Sequence, residues 1–201
     1  MKKIILFIIS GSIILVGSWL LYNKYRVIIP PVDISRSEVG WSGKSITGGH
    51  AGKLNLSRAE IQIKGGELIG GVFEADMRSI TCTDITDTAE NRSFMEHIAN
   101  EDFFEVNKYP TAFFQITQVK KIDSDQYEVT GKMKIKEKDN IVSFTAKVES
   151  IKEGKRFSAL INIDRTQFGI EYAAKGKPGS EKDWFILNDF TLNVNIVTGA
   201  L

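Results

Sequence analysis

The residue types best suited to chemistry in this sequence are two histidines and a single cysteine. His50 lies in GGHAG, and the glycines around it allow its imidazole to hydrogen-bond a neighbouring strand or the polar head of a ligand. A metal site needs more ligands than His50, His97 and Cys82 readily provide, and neither HxxxH nor CxxC spacing occurs. The sequence therefore predicts no metal site.

Two adjacent opposite charges, Asp164 and Arg165, occur in IDRTQFGI. They do not pair with each other, because neighbouring residues of a strand point to opposite faces. A buried Arg165 then needs a partner across the sheet, for which Asp76 and Asp189 are the candidates. The functional alternative is that Arg165 binds the phosphate or polar head of a ligand at the mouth of a binding site.

Signatures of catalysis and of nucleic-acid binding are missing. The sequence has no serine nucleophile elbow, glycine-rich phosphate loop or nucleotide fingerprint, and His97 with Ser93 is only a loose candidate for a base and nucleophile. Beyond residue 31, acidic residues outnumber basic ones, and the lysines are scattered rather than clustered. We expect neither an enzyme nor a nucleic-acid partner.

The elements that position these residues are short alternating strands. Apolar residues recur at every second position in five segments: Ile61 and Ile63; Tyr127, Val129, Met133 and Ile135; Val142, Phe144, Ala146 and Val148; Phe157, Ala159, Ile161 and Ile163; Phe190, Leu192, Val194 and Ile196. Short turns between such strands indicate an antiparallel meander. Only Thr88–Ala99 has helical spacing, with Asp87 or Thr88 as N-cap. The sequence predicts an all-β antiparallel barrel of about eight strands with a short helical insertion.

The inward faces of these strands are strongly apolar and rich in phenylalanine. Barrels of this strand number can hold one small ligand along their axis, and binding pockets are often walled by aromatic residues. Strand parity gives eight candidate wall residues: Phe73, Phe113, Met133, Phe144, Ile161, Ile163, Phe190 and Leu192. The alternative is that the same residues fill a solid core, because alternation fixes the buried face but not a cavity. Residues 175–179 form a loop expected to gate the mouth.

The N-terminus carries an apolar run, residues 4–21, preceded by Lys2 and Lys3. At about 1.5 Å per residue this run can cross a bilayer. Residues 1–22 are predicted to be a transmembrane anchor, or else a cleaved signal segment, and residues 23–31 a tether. Residues 32–201 form a single domain, and its sole cysteine cannot form an internal disulfide.

Several spaced segments resemble the YceI-like family: residues 40–54, 70–80, 97–114, 131–136 and 163–170. The resemblance spans about residues 32–197, and several motifs in the right order make it specific. It implies a lipocalin-like barrel that binds long polyisoprenoid or other amphipathic lipid-like molecules in an apolar channel. It also implies a periplasmic or extracytoplasmic setting and frequent dimers. The family usually has a cleaved signal, so an uncleaved anchor would be a departure.

The sequence therefore predicts a non-catalytic barrel that binds, sequesters or carries an isoprenoid or similar lipid at a membrane surface. The ligand's apolar chain would lie between the wall residues and its head near Arg165 and His50; no other cofactor is expected. The expected partners are this lipid, the membrane through the N-terminal helix, and a second copy of the chain. The barrel would lie on the periplasmic or extracytoplasmic side, or be secreted if the N-terminal segment is cleaved. The alternatives are a tethered interaction or stress-response module with a filled core, and an enzyme acting on a lipid or quinone.

Overall fold

The computed structural model describes residues 21–22, 25–176 and 186–200. The predicted anchor or signal segment lies outside the described residues except for its last two, and the predicted gating loop lies outside them beyond residue 176. Within the described ranges, no helix combines the length and the apolar character needed to cross a bilayer.

The described chain is built almost entirely from antiparallel strands. They are β1 (Val27–Ile28), β2 (Glu38–Ser45), β3 (Gly49–Lys64), β4 (Glu67–Cys82), β5 (Thr111–Lys121), β6 (Gln126–Ile135), β7 (Lys138–Ile151), β8 (Gly154–Asp164) and β9 (Ile186–Thr198). From β2 to β9 each strand pairs with the next, and β9 returns to pair with β2, for example Trp41 opposite Leu192. In the described part of the chain, eight strands therefore close into an up-and-down barrel, and β1 adds to β3. The predicted all-β, lipocalin-like barrel is confirmed.

Alternation of side chains along each strand creates the core. In β6, Tyr127, Val129 and Met133 are buried, whereas the residues between them, such as Glu128 and Lys132, are exposed. Burying a large apolar side chain contributes about 1.5–3 kcal/mol. The register that places these side chains inside is set by tight turns. Gly65 and Gly66, both with positive φ, form the two-residue turn between β3 and β4.

Helix α1 (Thr88–Ala99) lies between β4 and β5 and has the predicted bounds. It begins where the Asp87 carboxylate accepts hydrogen bonds from the backbone N–H groups of Ala89 and Glu90, both at 2.9 Å. Such an N-cap contributes about 1 kcal/mol. Ile98 is buried and Phe94 packs against the core, so α1 lies across one end of the barrel.

Candidate ligand-binding cavity

The barrel surrounds a cavity of about 280 Å³ that is partly open to solvent. Its walls come from the inward faces of strands β2 to β9, with Phe94 of α1 and Phe103 of the following turn at one end. Almost all of the lining side chains are apolar. Within the described residues, the core is therefore hollow rather than packed solid.

The structure places six of the eight predicted wall residues along this cavity with their side chains inward: Phe73, Met133, Phe144, Ile161, Phe190 and Leu192. Met133 and Ile161 are buried, and the other four are half-buried. Their contact with a ligand stays a prediction.

Ile163 does not border the cavity. It is buried in the same apolar cluster as Phe168 and Ile170, which follow β8. Its side chain points inward, as predicted. At the end of β8, however, Phe168 and Ile170 from the turn that follows the strand fill the barrel interior. Its side chain supports the cavity end rather than lining the cavity.

Phe113 points the opposite way from its prediction. Although it borders the cavity, its side chain is 41% exposed and is opposite Glu74 and Lys134 in the strand register. The next residue, Phe114, occupies the inward position, opposite Phe73 and Met133. The predicted inward residue on β5 is therefore displaced by one position from the observed one.

Phe114 is the main wall residue that sequence reasoning missed. Its ring centroid lies 6.3 Å from that of Phe73 and 5.6 Å from that of Phe144. These distances lie in the range of favourable aromatic pairs. The three rings from β4, β5 and β7 form one aromatic wall of the cavity.

Arg165 lies at the end of the cavity and is only 4% exposed. Both predicted ion pairs are wrong, because in the described chain neither Asp76 nor Asp189 forms a salt bridge with it. Instead the guanidinium donates four hydrogen bonds to backbone carbonyls, at 2.9 to 3.2 Å: those of Ile170, Tyr172, Ile186 and Leu187.

The local chain explains why Arg165 points inward. Asp164 ends β8, and its carboxylate accepts hydrogen bonds from the backbone N–H and the hydroxyl of Thr166, which begins a 3-10 turn over Arg165–Phe168. The turn directs the Arg165 side chain toward the backbone carbonyls of Ile186 and Leu187 at the start of β9. Burial lowers the pKa of the guanidinium, whereas the nearby Asp164 charge acts in the opposite direction. Arg165 remains charged at neutral pH.

His50 and Arg165 lie at the same end of the barrel. His50 is opposite Gly43 on β2, and Ser45, two residues further, is opposite Ile186, whose carbonyl accepts a hydrogen bond from Arg165. The His50 ring lies 4.5 Å from the ring of Phe94 on α1. This end is therefore the one that α1 covers, and it holds the polar groups of an otherwise apolar site.

The structure brings His50 close to Cys82, although 32 residues separate them in sequence. Their ligand atoms and a carboxylate oxygen of Asp84 all lie within 4.8 Å of one another. The Cys82 thiol donates to Asp84 Oδ1 at 2.9 Å. Burial, followed by this hydrogen bond, raises the pKa of the Cys82 thiol, and the same bond lowers the pKa of Asp84. The approach of His50 to Cys82 and Asp84 is not visible in the sequence, because it depends on the register between β3 and β4.

His97 lies apart from this cluster, at the end of α1. Its ring contacts those of Phe103 and Tyr172, with centroids 5.1 and 4.6 Å away, and its Nδ1 lies 3.8 Å from Asp102 Oδ2. Ser93 is exposed, and within the described residues no hydrogen bond joins it to His97. The loose base and nucleophile pair considered from the sequence is not assembled.

The closed up-and-down barrel and its apolar cavity define a lipocalin-like protein, a class built to enclose a small ligand. The chain belongs to the family of YceI-like domains, whose pattern it matches over residues 31–198. The resemblance seen in the sequence is thereby confirmed. No curated protein matches the sequence.

Solved structures share this fold. BcnA from Burkholderia cenocepacia is 20% identical, with a TM-score of 0.68 over 83% of this chain and 99% of that chain. A polyisoprenoid-binding domain from Saccharophagus degradans is 11% identical, with a TM-score of 0.61 over 88% of this chain and 100% of that chain. The YceI protein of Campylobacter jejuni is 20% identical, with a TM-score of 0.51 over 71% and 82%. At these identities the similarity establishes the fold alone.

Proposed function

We propose that the barrel binds the apolar chain of an isoprenoid or similar amphipathic lipid in its cavity, and so sequesters or carries that molecule without transforming it. The observation that carries the proposal is the cavity of about 280 Å³ with apolar walls inside the barrel. The description of the Saccharophagus degradans relative as polyisoprenoid-binding supports the same ligand class.

The physical basis is the removal of hydrocarbon from water. Each methylene group transferred into the cavity contributes about 0.8 kcal/mol. The cavity volume of about 280 Å³ lies just below the range of about 300–1,000 Å³ for ligand pockets, which favours a slender chain over a broad ring system.

The polar head of the ligand would lie at the end covered by α1. Arg165 uses four of its five N–H groups on backbone carbonyls in the described chain, which holds the cation in place and leaves one N–H for a phosphate or carboxylate oxygen. His50 is half-buried at the same end. The two residues therefore favour a ligand with an anionic or hydrogen-bonding head.

The cellular setting is part of this proposal. The apolar residues 4–21 support an anchor that holds the barrel at a membrane on the periplasmic or extracytoplasmic side, or a signal whose cleavage releases it. A carrier at a membrane surface would exchange its ligand with the bilayer. A reporter fused to the C-terminus tests the side of the membrane, and N-terminal sequencing of the isolated protein tests cleavage. A homodimer, as the family resemblance implies, is tested by sedimentation.

The binding proposal is tested on protein purified without added lipid. Native mass spectrometry should show a mass above that of the chain, and organic extraction should release an amphipathic molecule with a long apolar chain. In the stripped protein, an isoprenoid alcohol such as farnesol should displace an apolar fluorophore. A protein that carries no lipid and also fails to bind the fluorophore would overturn the proposal and favour a tethered interaction module.

A further inference from the structure

We propose that His50, Cys82 and Asp84 form a Zn²⁺ site at the end of the barrel covered by α1. A thiolate, an imidazole and a carboxylate are three of the donor types that Zn²⁺ takes in proteins, and three protein ligands leave its fourth position for water. Ca²⁺ and Mg²⁺ prefer oxygen ligands alone, so a sulfur and nitrogen donor set disfavours them. We call these three residues the His-Cys-Asp cluster.

The backbone around the cluster is held by paired strands. Gly52 is opposite Cys82 in the register of β3 and β4, and the N–H of Thr83 donates to the Ala51 carbonyl at 2.9 Å. Gly52 is needed here, because a β-carbon at this position would lie 1.7 Å from the Thr81 carbonyl oxygen. This close approach fixes the separation between the strand that carries His50 and the strand that carries Cys82.

Helix α1 fixes the segment that follows β4. The side-chain amide of Asn91 donates to the carbonyls of Cys82 and Ile85, at 3.1 and 2.9 Å. The backbone N–H of Ala51 donates to Asp84 Oδ2 at 3.1 Å, which orients the carboxylate and leaves Oδ1 directed at the other two ligands. The three donors therefore come from elements that are already ordered, as a metal site requires.

The two separations that involve Asp84 can be compared with those of a tetrahedral ion, and the ligand atoms of His50 and Cys82 lie within 4.8 Å of each other. Zn–S bonds of about 2.3 Å and Zn–N and Zn–O bonds of about 2.0–2.2 Å place tetrahedral ligand atoms about 3.4–3.6 Å apart. His50 Nδ1 lies 3.5 Å from Asp84 Oδ1, which matches. Cys82 Sγ lies 2.9 Å from the same oxygen because the thiol hydrogen joins them. Loss of that hydrogen and a small rotation of the exposed Asp84 side chain would bring this pair to the same range.

An unsatisfied atom also points to a missing ligand. Among the described residues, His50 Nδ1 is the buried side-chain nitrogen or oxygen that lacks a hydrogen-bond partner. Its 3.5 Å separation from Asp84 Oδ1 meets the distance for an ion pair but not the geometry of a hydrogen bond. Buried polar atoms are almost always satisfied. A cation between Nδ1, Sγ and Oδ1 satisfies this nitrogen, and the proton of the Cys82 thiol leaves to solvent when the Zn–S bond forms.

The test uses the full chain, stripped of metal and titrated with Co²⁺ and then Zn²⁺. Because Cys82 is the only cysteine, a thiolate-to-cobalt charge-transfer band can come from no other residue. We expect this band together with the intense visible bands of tetrahedral Co²⁺, and both should vanish when Zn²⁺ displaces Co²⁺. Competition with a chromophoric chelator then gives the affinity for Zn²⁺.

Two variants and one control complete the experiment. C82S should abolish the charge-transfer band. C82S and H50Q should each weaken Zn²⁺ binding by more than about 100-fold, because losing even an outer-shell partner of a metal ligand costs about 10–100-fold. H97Q is the matched control, because His97 also lies beside an aspartate, Asp102, but has no cysteine, and its affinity should equal that of the wild type. Circular dichroism verifies that each variant is folded. A wild-type cobalt spectrum without the sulfur band would overturn the proposal whatever the variants do, as would equal Zn²⁺ affinity in wild type and folded C82S.

Discussion

The ring of Phe114 lies directly against the backbone of Gly131, inside the barrel. A β-carbon at position 131 would lie 2.3 Å from Cζ of that ring, a separation that real β-carbons essentially never show. Gly131 is opposite Ile116 in the strand register, so the missing side chain is what lets the Phe114 ring lean across β6 toward Phe144. The aromatic wall of the cavity therefore depends on a glycine in the neighbouring strand.

Replacing this glycine by alanine should destabilise the protein. In G131A the new β-carbon would collide with the Phe114 ring and would also lie 2.6 Å from the Gln115 carbonyl oxygen. Both the ring and the β5 backbone must shift, and overpacking of this kind costs about 1–3 kcal/mol. Urea unfolding measures the loss in the free energy of unfolding. G43A is the matched control, because a β-carbon on Gly43 of β2 meets no atom within 4 Å. We expect that control to stay within about 0.5 kcal/mol of the wild type, and equal losses in the two variants would contradict the close packing of Phe114 and β5 against Gly131.

Filling the cavity should remove ligand binding without a change on the outer surface. Ala159 borders the cavity, whereas its neighbour Leu160 is 67% exposed. A159F places a ring in the space that the apolar chain would occupy, so binding of an apolar fluorophore should weaken at least about tenfold, or 1.4 kcal/mol. L160F should bind as the wild type does. Circular dichroism verifies that A159F is folded. A146F is a second test of the same prediction, because Ala146 is opposite Ala159 and also borders the cavity.

The inner faces of strands β6 to β9 could be predicted from the sequence because each strand keeps a strict alternation of apolar residues. On strand β5 the same reasoning predicted the wrong inward residue, and the reason is physical. Phe113 and Phe114 are adjacent, so hydrophobicity does not say which one points inward, and the pairing with β6 shifts between Ile116 and Gln118. Only the register with Phe73 on β4 resolves the direction.

The polar groups of the site were harder to predict than its apolar walls. Arg165 is satisfied by backbone carbonyls, and a sequence does not show which carbonyls are left unpaired at the end of a barrel. Likewise, the approach of His50 to Cys82 follows from the pairing of β3 with β4, whose register shifts at three places. Contacts of this kind depend on three-dimensional pairing rather than on local residue pattern.

Arg165 should contribute strongly to stability through its carbonyl partners. In R165M an apolar side chain of similar length leaves buried carbonyls without donors, at a cost of about 1–3 kcal/mol each where no other donor replaces them. We expect a total loss of about 3–5 kcal/mol, and a smaller loss of about 1–3 kcal/mol in R165K, because lysine keeps the charge with fewer donors.

The control for these variants is R156K on β8, the strand that precedes Arg165. Arg156 is exposed, and its nearest carboxylate, on Glu149, lies 4.0 Å away. Its replacement should change the free energy of unfolding by less than about 0.5 kcal/mol. The midpoint of urea unfolding at neutral pH compares the three variants. If R165M were as stable as R156K, the hydrogen bonds to Ile170, Tyr172, Ile186 and Leu187 would not be important to the fold.

Protonation of Asp33, at the start of the domain, should contribute to the loss of stability of the protein at low pH. Its carboxylate caps the 3-10 turn Ile34–Arg36. Hydrogen bonds from the side chains of Ser35 and Arg36 lower its pKa from the ordinary 3.8 to about 2. Because the folded-state pKa is depressed, the stabilisation is fully present above the ordinary value and is lost as the pH falls through about 2.

Nuclear magnetic resonance titration of the Asp33 side-chain carbonyl carbon measures this pKa directly. We expect a midpoint near 2 in the wild type and a higher one in S35A, because the Ser35 hydroxyl makes the largest contribution to the shift. D33N provides the matching stability measurement. The advantage of the wild type over D33N should shrink as the pH drops below 3.8 and be absent once Asp33 is protonated in the folded protein. A wild-type midpoint at 3.8 would contradict this prediction, because it would show that the hydrogen bonds from Ser35 and Arg36 do not form in solution.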